Sequence, residues 1–168
     1  MKTDPKTFLF ADDGKIPNHP TLPLLYYRQV LLPEQRSPAA CRELFRSCNW
    51  RNSWVNGVYN FHHYHSITHE VLGVTGGQAT LILGGEAGEK VQVSAGDVIV
   101  IPAGVGHFNQ DSSADFQVVG AYPNGMDWDL CYGKAEERPI KMDNIQRVPL
   151  PEQDPVYGVR GPLTDLWK

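Results

Sequence analysis

Proline is nearly absent from the middle of this chain, and this distribution constrains the fold more than any other feature of the sequence. Six prolines lie at or before Pro38, six lie at or after Pro123, and only Pro102 lies between them. Proline has no backbone N–H group, so the central strands of a sheet exclude it. We therefore expect regular structure to concentrate between about Ala39 and Tyr122.

The proline-poor block contains several short segments that are rich in β-branched residues. Glycines and small polar residues separate these segments and predict tight turns. Many short strands at close spacing are typical of an antiparallel sandwich or barrel, so the chain is predicted to be an all-β protein. The predicted strands are VLGVT, ATLIL, KVQVS, DVIVIP and FQVVGAY.

One helix is predicted at the start of this block. Ser37 has the side chain of an N-cap residue, and Pro38 suits the first helical position. The following segment, AACRELFRSC, places Cys41, Leu44 and Phe45 at helical spacing. A short helix should therefore precede the strands and pack on one face.

The proline-rich flanks, residues 1–36 and 124–168, contain large apolar side chains, which usually need a surface to pack on. We expect both flanks to be extended arms that lie against a core of about residues 55–123. The length of 168 residues suits one domain spanning residues 1–168. The side chains concerned are Phe8, Phe10, Leu24, Leu25, Tyr26, Tyr27, Tyr157, Leu166 and Trp167.

The overall composition argues against nucleic acid and membrane as partners. The formal net charge is −4, so the chain lacks the electrostatic attraction that nucleic acid binding requires. No run of about 18 apolar residues is present to form a membrane span, and no secretory signal peptide is recognisable. Three cysteines without a C-x-x-C pair are typical of reduced thiols, so a cytoplasmic location is expected.

Five of the six histidines lie in two clusters, FHHYHSITHE and PAGVGH. Residues two apart on a strand point to the same side, so His63 and His65 should present two imidazoles to one face. Glu70 can return on the neighbouring strand toward the same interior, and His107 begins another strand. Because these strands can converge in a barrel, His63, His65, Glu70 and His107 are the predicted metal ligands.

Three imidazoles and one carboxylate suit a borderline divalent ion, so we expect one divalent transition metal per chain. Iron, manganese, nickel, zinc, copper and cobalt are all compatible with this ligand set. An octahedral ion would keep two positions open beyond these ligands, which is typical of a catalytic rather than a structural site. The candidates for a general base are Glu70, His62 and His69. Glu70 is the candidate catalytic residue, because it could leave the metal and accept a proton.

The other histidines have a different interpretation. His62 and His69 each adjoin a predicted ligand, so strand alternation turns them to the opposite side. A packing, hydrogen-bonding or surface role is expected for both. His19, in the segment IPNHP, is expected in a loop. For the predicted ligands themselves, the alternative is a set of hydrogen-bonded core residues.

Several residues are candidates for the wall of a substrate pocket. Tyr59 and Phe61 share the parity of the first two predicted histidine ligands, and Asn109 shares the parity of the third. Gln78 and Tyr122 are further candidates, and the alternative for each aromatic residue is plain core packing. Three residues before the first cluster could rim the barrel mouth or pack against an arm: Trp50, Arg51 and Trp54.

The spacing around both clusters resembles the two motifs of the cupin superfamily. The first motif is G-x5-H-x-H-x(3,4)-E-x6-G, and the second is G-x5-P-x-G-x2-H-x3-N. Nine of the ten defining positions match, and the exception is Asp111, where the family usually has Asn. The matching residues are Gly57, His63, His65, Glu70, Gly77, Gly96, Pro102, Gly104 and His107.

Longer segments resemble the small YjlB-like cupins, namely FADDGKIPNHPTLPLLYYRQVL, WRNSWVNGVYNFHHYHSITHEVLGV and DPVYGVRGPLTDLW. This resemblance implies a single-domain RmlC-like fold, an antiparallel β-barrel or jelly roll with one short helix and extended N- and C-terminal arms. It also implies the same four metal ligands and, together with the apolar arms, a homodimer. It supplies no reaction.

Two functions are compatible with this resemblance. Cupins include dioxygenases, decarboxylases and sugar isomerases, so we expect a metal-dependent enzyme that acts on a small oxygen-bearing metabolite. Dioxygenase or isomerase-type chemistry is favoured over decarboxylation. The alternative is a non-catalytic cupin that binds a small molecule or a sugar and holds a structural metal. In both cases the expected partner is a small molecule, with no nucleic acid and no membrane.

Overall fold

The computed structural model describes residues 2–168 and is built from two antiparallel sheets. The larger sheet has six strands in the order β1-β2-β7-β4-β9-β3, and the smaller has three in the order β6-β5-β8. The strands are β1 (Lys6–Phe8), β2 (Leu24–Tyr27), β3 (Trp50–Asn56), β4 (Glu70–Gly76), β5 (Gln78–Leu83), β6 (Glu89–Ser94), β7 (Val98–Ile101), β8 (His107–Ser112) and β9 (Gln117–Pro123). The predicted all-β jelly roll is confirmed, although the two sheets do not merge into one closed barrel.

All five predicted strand segments form strands, and a glycine turn joins β4 to β5 where the sequence predicts one. Gly77 in this turn has φ of +66°, and a Cβ atom there would lie 2.6 Å from the backbone nitrogen of Phe116. Both the left-handed backbone and the close approach favour glycine at this position. The turn carries the chain from the larger sheet to the smaller one.

The strands of the larger sheet alternate between two apolar layers. Val71, Val119 and Ala121 belong to an outer layer with α1 (Pro38–Ser47) and the C-terminal arm. Leu72 and Val74 belong to an inner layer that the smaller sheet completes. Glu70 has the same parity as Leu72 and is 2% exposed, so β4 directs its carboxylate between the sheets.

The predicted helix α1 is confirmed together with its cap. The Ser37 hydroxyl accepts a hydrogen bond from the Ala40 N–H at 3.2 Å, and Pro38 occupies the first turn. Cys41 and Phe45 are fully buried against β4, where Gly73 leaves room for them. The helix therefore covers the outer face of the strand that carries Glu70.

Both arms contain more regular structure than the expected extended conformation. The N-terminal arm supplies β1 and β2 to the larger sheet. The C-terminal arm forms α2 (Ile140–Arg147) and α3 (Pro162–Leu166), so the prediction of one helix is corrected to three. In α2 a single side chain, that of Ile145, is buried. A helix that buries so little has only a weak apolar periodicity in its sequence, which is why it was not predicted.

Hydrogen bonds at buried positions attach the C-terminal arm to the sheet. The Asp154 carboxylate is fully buried, and it accepts the hydroxyl hydrogen of Tyr27 and the N–H of Leu163. The indole N–H of Trp50 donates to the carbonyl of Gln153 at 2.9 Å.

None of the helices in residues 2–168 has the length and apolarity that a membrane crossing requires.

Candidate metal centre

The four predicted ligands meet between the two sheets, and all of them are buried. Glu70 is the first residue of β4 and His107 is the first residue of β8. His63 pairs with His107 through two backbone hydrogen bonds, with N···O distances of 3.3 and 2.9 Å. One ligand atom from each of His63, His65 and His107 lies within 4.8 Å of the other two.

The segment that carries the first two histidines differs from the regular strand predicted for it. Residues 57–65 form only isolated bridges, His63 with His107 and Tyr64 with Cys131. Extended backbone at these bridges is enough to keep the alternation of side chains. His63 and His65 therefore share a face, while Tyr64 points away and packs with Ile16 in a separate apolar cluster.

Each imidazole is oriented by a backbone carbonyl at its Nδ1 atom. Nδ1 of His63 lies 3.0 Å from the carbonyl oxygen of Phe61, and Nδ1 of His107 lies 3.1 Å from that of Val105. Nδ1 of His65 bonds to the carbonyl of Asp129. A carbonyl can only accept, so each Nδ1 carries a hydrogen and each ring turns its Nε2 atom to the centre. Such contacts orient the histidine ligands of metals.

The Glu70 carboxylate lies beside two of these imidazoles. Its Oε1 atom lies 3.4 Å from Nε2 of His65 and 3.3 Å from Nε2 of His107. Neighbouring ligands of an octahedral ion, with bonds of about 2.1 Å, lie about 3 Å apart. The observed spacing is close to this value, and three imidazoles with one carboxylate match the donors that divalent transition metals prefer. The residues present therefore fit a divalent metal.

The electrostatics of the site keep the carboxylate charged and one imidazole neutral. Burial, followed by the neighbouring His107, lowers the pKa of His63 to about 2. Burial alone would raise the pKa of Glu70, but the adjacent imidazoles of His65 and His107 lower it overall. Burial alone would lower the pKa of His65, and the Glu70 carboxylate instead raises it. A bound cation would take over the stabilisation of Glu70 from these rings.

A cavity of about 430 Å³ opens above the four donors. Of the predicted pocket residues, Tyr59 and Tyr122 line it, while Phe61, Gln78 and Asn109 do not. Phe61 instead stacks behind Tyr59, with ring centroids 5.0 Å apart. The remaining lining residues are Asn52, Ser53, Trp54, Val55, Asn56, Gly57, Val58, His63, His65, Glu70, Leu72, His107 and Trp128.

The tryptophans before the first cluster were predicted either to rim the mouth of the barrel or to pack against an arm, and each alternative holds for one of them. Trp54 lines the cavity, and its indole N–H donates to the Tyr122 hydroxyl at 2.8 Å. Trp50 is buried and packs against the C-terminal arm. Burial and the nearby Glu70 carboxylate raise the pKa of Tyr122, so its hydroxyl keeps its proton at neutral pH.

A loop that closes one side of the site has no recognisable signal in the sequence. Trp128 lies at the cavity mouth, with its ring 5.5 Å from that of His65. The Asp129 carbonyl orients His65, and the Asp129 carboxylate accepts hydrogen bonds from the Ser66 N–H at 2.7 Å and from the Lys141 ammonium at 3.0 Å. These residues are far from the histidines in sequence, so no local spacing could indicate them.

The remaining histidines point away from the donors. The ring of His62 lies 4.7 Å from that of Phe108. His69 is fully buried, and its Nδ1 accepts a hydrogen bond from the Ala103 N–H at 2.9 Å. Nδ1 of His19 accepts hydrogen bonds from backbone N–H groups in its own loop. All three have packing or hydrogen-bonding roles, as strand alternation and the loop position predict.

Comparisons with known proteins agree with this architecture. The cupin family profile matches residues 47–125. The uncharacterized protein YjlB of Bacillus subtilis (strain 168) is 42% identical over 167 residues, which cover 99% of each chain.

Solved structures with similar folds are more distant. The WlaRB TDP-quinovose 3,4-ketoisomerase of Campylobacter jejuni is 15% identical, covers 52% of this chain and 72% of its own, and has a TM-score of 0.43. Acireductone dioxygenase of Bacillus anthracis, with a cadmium ion in its active centre, is 16% identical, covers 67% of this chain and 79% of its own, and has a TM-score of 0.40. Neither similarity is close enough to transfer a substrate or a reaction.

Proposed function

Since the chain belongs to the YjlB-like cupins, we propose that it is a metal-dependent enzyme that acts on a small oxygen-bearing metabolite. The proposed reaction is of the dioxygenase or isomerase type. One divalent transition metal would be held by His63, His65, Glu70 and His107. The observation that carries this proposal is the set of three carbonyl-oriented imidazoles beside one buried carboxylate, at the floor of a cavity of about 430 Å³.

The metal would act as a Lewis acid toward an oxygen atom of the substrate. The protein supplies two further groups above the donors. Glu70 is a carboxylate at neutral pH, and it is the candidate proton acceptor. Tyr122 keeps its phenolic proton and can donate a hydrogen bond to a substrate oxygen. An acceptor and a donor of protons in one cavity suit reactions that move a proton between neighbouring substrate atoms.

The lining of the cavity supports this chemistry over decarboxylation. A decarboxylase must bind a carboxylate group, and a cationic side chain commonly serves that purpose. Among the described residues, no Lys or Arg lines the cavity. The charge available to a carboxylate would come from the metal alone.

One observation favours the alternative, a non-catalytic cupin that binds a small molecule or a sugar around a structural metal. Glu70 is the only carboxylate among the described residues that line the cavity. If Glu70 remains bound to the metal throughout, the described lining offers no second carboxylate as a general base, and the other two candidates, His62 and His69, do not line the cavity. The two functions therefore differ in whether Glu70 can exchange protons.

The proposal also includes a cytoplasmic location and a homodimer of the chain. Cys41, Cys48 and Cys131 are buried free thiols, which supports a reducing compartment.

The functional test compares wild-type protein with Tyr122→Phe and Glu70→Gln after the metal content of each sample has been measured. Oxygen consumption and isomerisation are followed across small diols, keto acids and sugars. We expect turnover by wild type, a loss of at least tenfold in Tyr122→Phe at unchanged metal content, and no turnover by Glu70→Gln. A tight ligand without any turnover across the panel would favour the binding role instead.

A further inference from the structure

Two large aromatic side chains stand exposed at the mouth of the cavity. Tyr59 is 45% exposed and Trp128 is 40% exposed. The Tyr59 ring lies 5.1 Å from that of His63 at an interplanar angle of 83°, and the Trp128 ring lies 5.5 Å from that of His65 at 72°. The two aromatic rings therefore stand over different imidazoles and frame the entrance. Exposed aromatic surface of this kind is typical of a ligand-binding site.

Tyr59 is held in place before any ligand arrives. Phe61 stacks on it with centroids 5.0 Å apart and planes 23° apart. Tyr132 also stacks on Phe61, with ring centroids 5.7 Å apart and planes 24° apart. This aromatic column, formed by Tyr59, Phe61 and Tyr132, braces the ring that reaches the cavity. A braced ring loses little conformational freedom when a ligand packs on it.

The charge of the site limits the charge of its ligand. A divalent ion, one Glu70 carboxylate and three neutral imidazoles would leave a single positive charge. The other polar groups on the wall are uncharged, namely the amides of Asn52 and Asn56, the hydroxyls of Ser53, Tyr59 and Tyr122, and the indole N–H groups of Trp54 and Trp128. Arg42 and Arg51 line a separate groove between α1 and β3. A second negative charge on a ligand would therefore be buried in the cavity without a cationic partner, which is unfavourable.

We propose that the substrate is a single-ring compound with two neighbouring oxygen atoms and at most one negative charge. This inference rests on the proposed function. The ring packs between Tyr59 and Trp128, and its neighbouring oxygens face the metal. Cyclic sugars and catechol-like aromatic rings share this chemistry, whereas phosphate esters and dicarboxylates do not.

The test is anaerobic calorimetric titration of the metal-loaded protein. Catechol and D-glucose are the ring probes, and oxalate and D-glucose 6-phosphate are the anionic probes. We expect one of the ring probes to bind more tightly than either anionic probe, and the tighter ring probe distinguishes an aromatic from a sugar ligand. Tighter binding of an anionic probe, or the absence of ring binding by metal-loaded protein, would overturn the inference. If the protein cannot be loaded with a metal ion at all, that result would contradict the proposed function rather than the proposed ligand.

Variants locate the bound ring. We expect Trp128→Ala to weaken ring binding about tenfold at unchanged metal content, and Trp128→Phe to recover most of the loss. The control is Leu32→Ala, because Leu32 is 53% exposed, does not line the cavity and touches none of the aromatic column. Equal affinities of wild type and Trp128→Ala for the ring probe would show that the ring does not pack there.

Discussion

At the scale of single residues, the metal site depends on which nitrogen of each histidine is already hydrogen-bonded to the protein. Each imidazole has its Nδ1 bonded to a carbonyl, from Phe61, Asp129 or Val105. The backbone thus selects the tautomer that leaves Nε2 available to a metal. Glu70 owes its charge to the imidazoles that it faces. The donor set is therefore organised by contacts that exist in the protein alone.

Gly73 lies on the same strand as Glu70 and faces helix α1, and its substitution tests the stability of this packing. A Cβ atom at Gly73 would lie 2.6 Å from Cys41 Sγ and 2.8 Å from the Phe45 ring. We expect Gly73→Ala to lower the free energy of unfolding by about 1–3 kcal/mol, because the buried helix face must move. Urea denaturation measures this change.

Gly57→Ala is the matched control, because a Cβ atom at Gly57 would have no neighbour within 4 Å. We expect a change within about 0.5 kcal/mol for this variant, as for most surface substitutions. Equal destabilisation by the two variants would contradict the packing described for α1.

At the scale of elements, the loop of residues 128–137 connects the C-terminal arm to the metal site, because it contains the Asp129 carbonyl that orients His65. Glu137 lies at the end of this loop and accepts hydrogen bonds from the N–H groups of Tyr132 and Gly133, at 2.8 and 2.9 Å. It also accepts the hydroxyl hydrogen of Tyr64 at 2.8 Å. Burial alone would raise the pKa of Glu137, but these donors lower it overall. The ionised carboxylate therefore stabilises the loop.

The stabilisation by Glu137 should depend on pH in a defined direction. Its pKa is lower in the folded protein than the ordinary value of 4.5, so the contribution is complete above that value and is lost as pH falls below it. We expect Glu137→Gln to lower the free energy of unfolding at pH 7 by about 1 kcal/mol, since the carboxylate is partly exposed. The difference from wild type should shrink on acidification.

Chemical denaturation at pH 7 and at pH 4 measures this difference. Glu136→Gln is the control, because Glu136 is an exposed neighbour on the same turn. A difference between wild type and Glu137→Gln that stays constant over this pH range would contradict the role of the charged carboxylate.

At the scale of the whole molecule, the fold brings distant segments to one point. Periodicity and turn chemistry were sufficient to predict helix α1 and the five strands β4, β5, β6, β7 and β9, but not β1, β2 or β3, which lie outside the segments rich in β-branched residues. The segment around His63 was predicted as a strand but forms only an isolated bridge. The predicted direction of its side chains still holds, because side chains alternate in a bridge as they do in a strand. Trp128 and Asp129 could not be predicted, because they reach His65 only through tertiary packing. The weakly amphipathic α2 was missed for lack of a periodic apolar face.

The surface of the whole molecule bears on its state of association. Large apolar side chains remain exposed on both arms, among them Leu9, Ile140, Leu150 and Val159. We expect the chain to form a homodimer that covers part of this surface. Light scattering coupled to size-exclusion chromatography should give a mass near twice the chain mass of 18.8 kDa. A mass of one chain at all concentrations would contradict this expectation.

The central claim is that His63, His65, Glu70 and His107 hold one transition metal, and elemental analysis tests it most directly. Protein purified without a metal-binding tag should contain about one metal ion per chain. His65→Ala should lose the metal, while His62→Ala should keep it, because the His62 ring packs against Phe108 instead. Circular dichroism confirms that both variants are folded. Full metal content in folded His65→Ala, or metal-free wild type, would contradict the account.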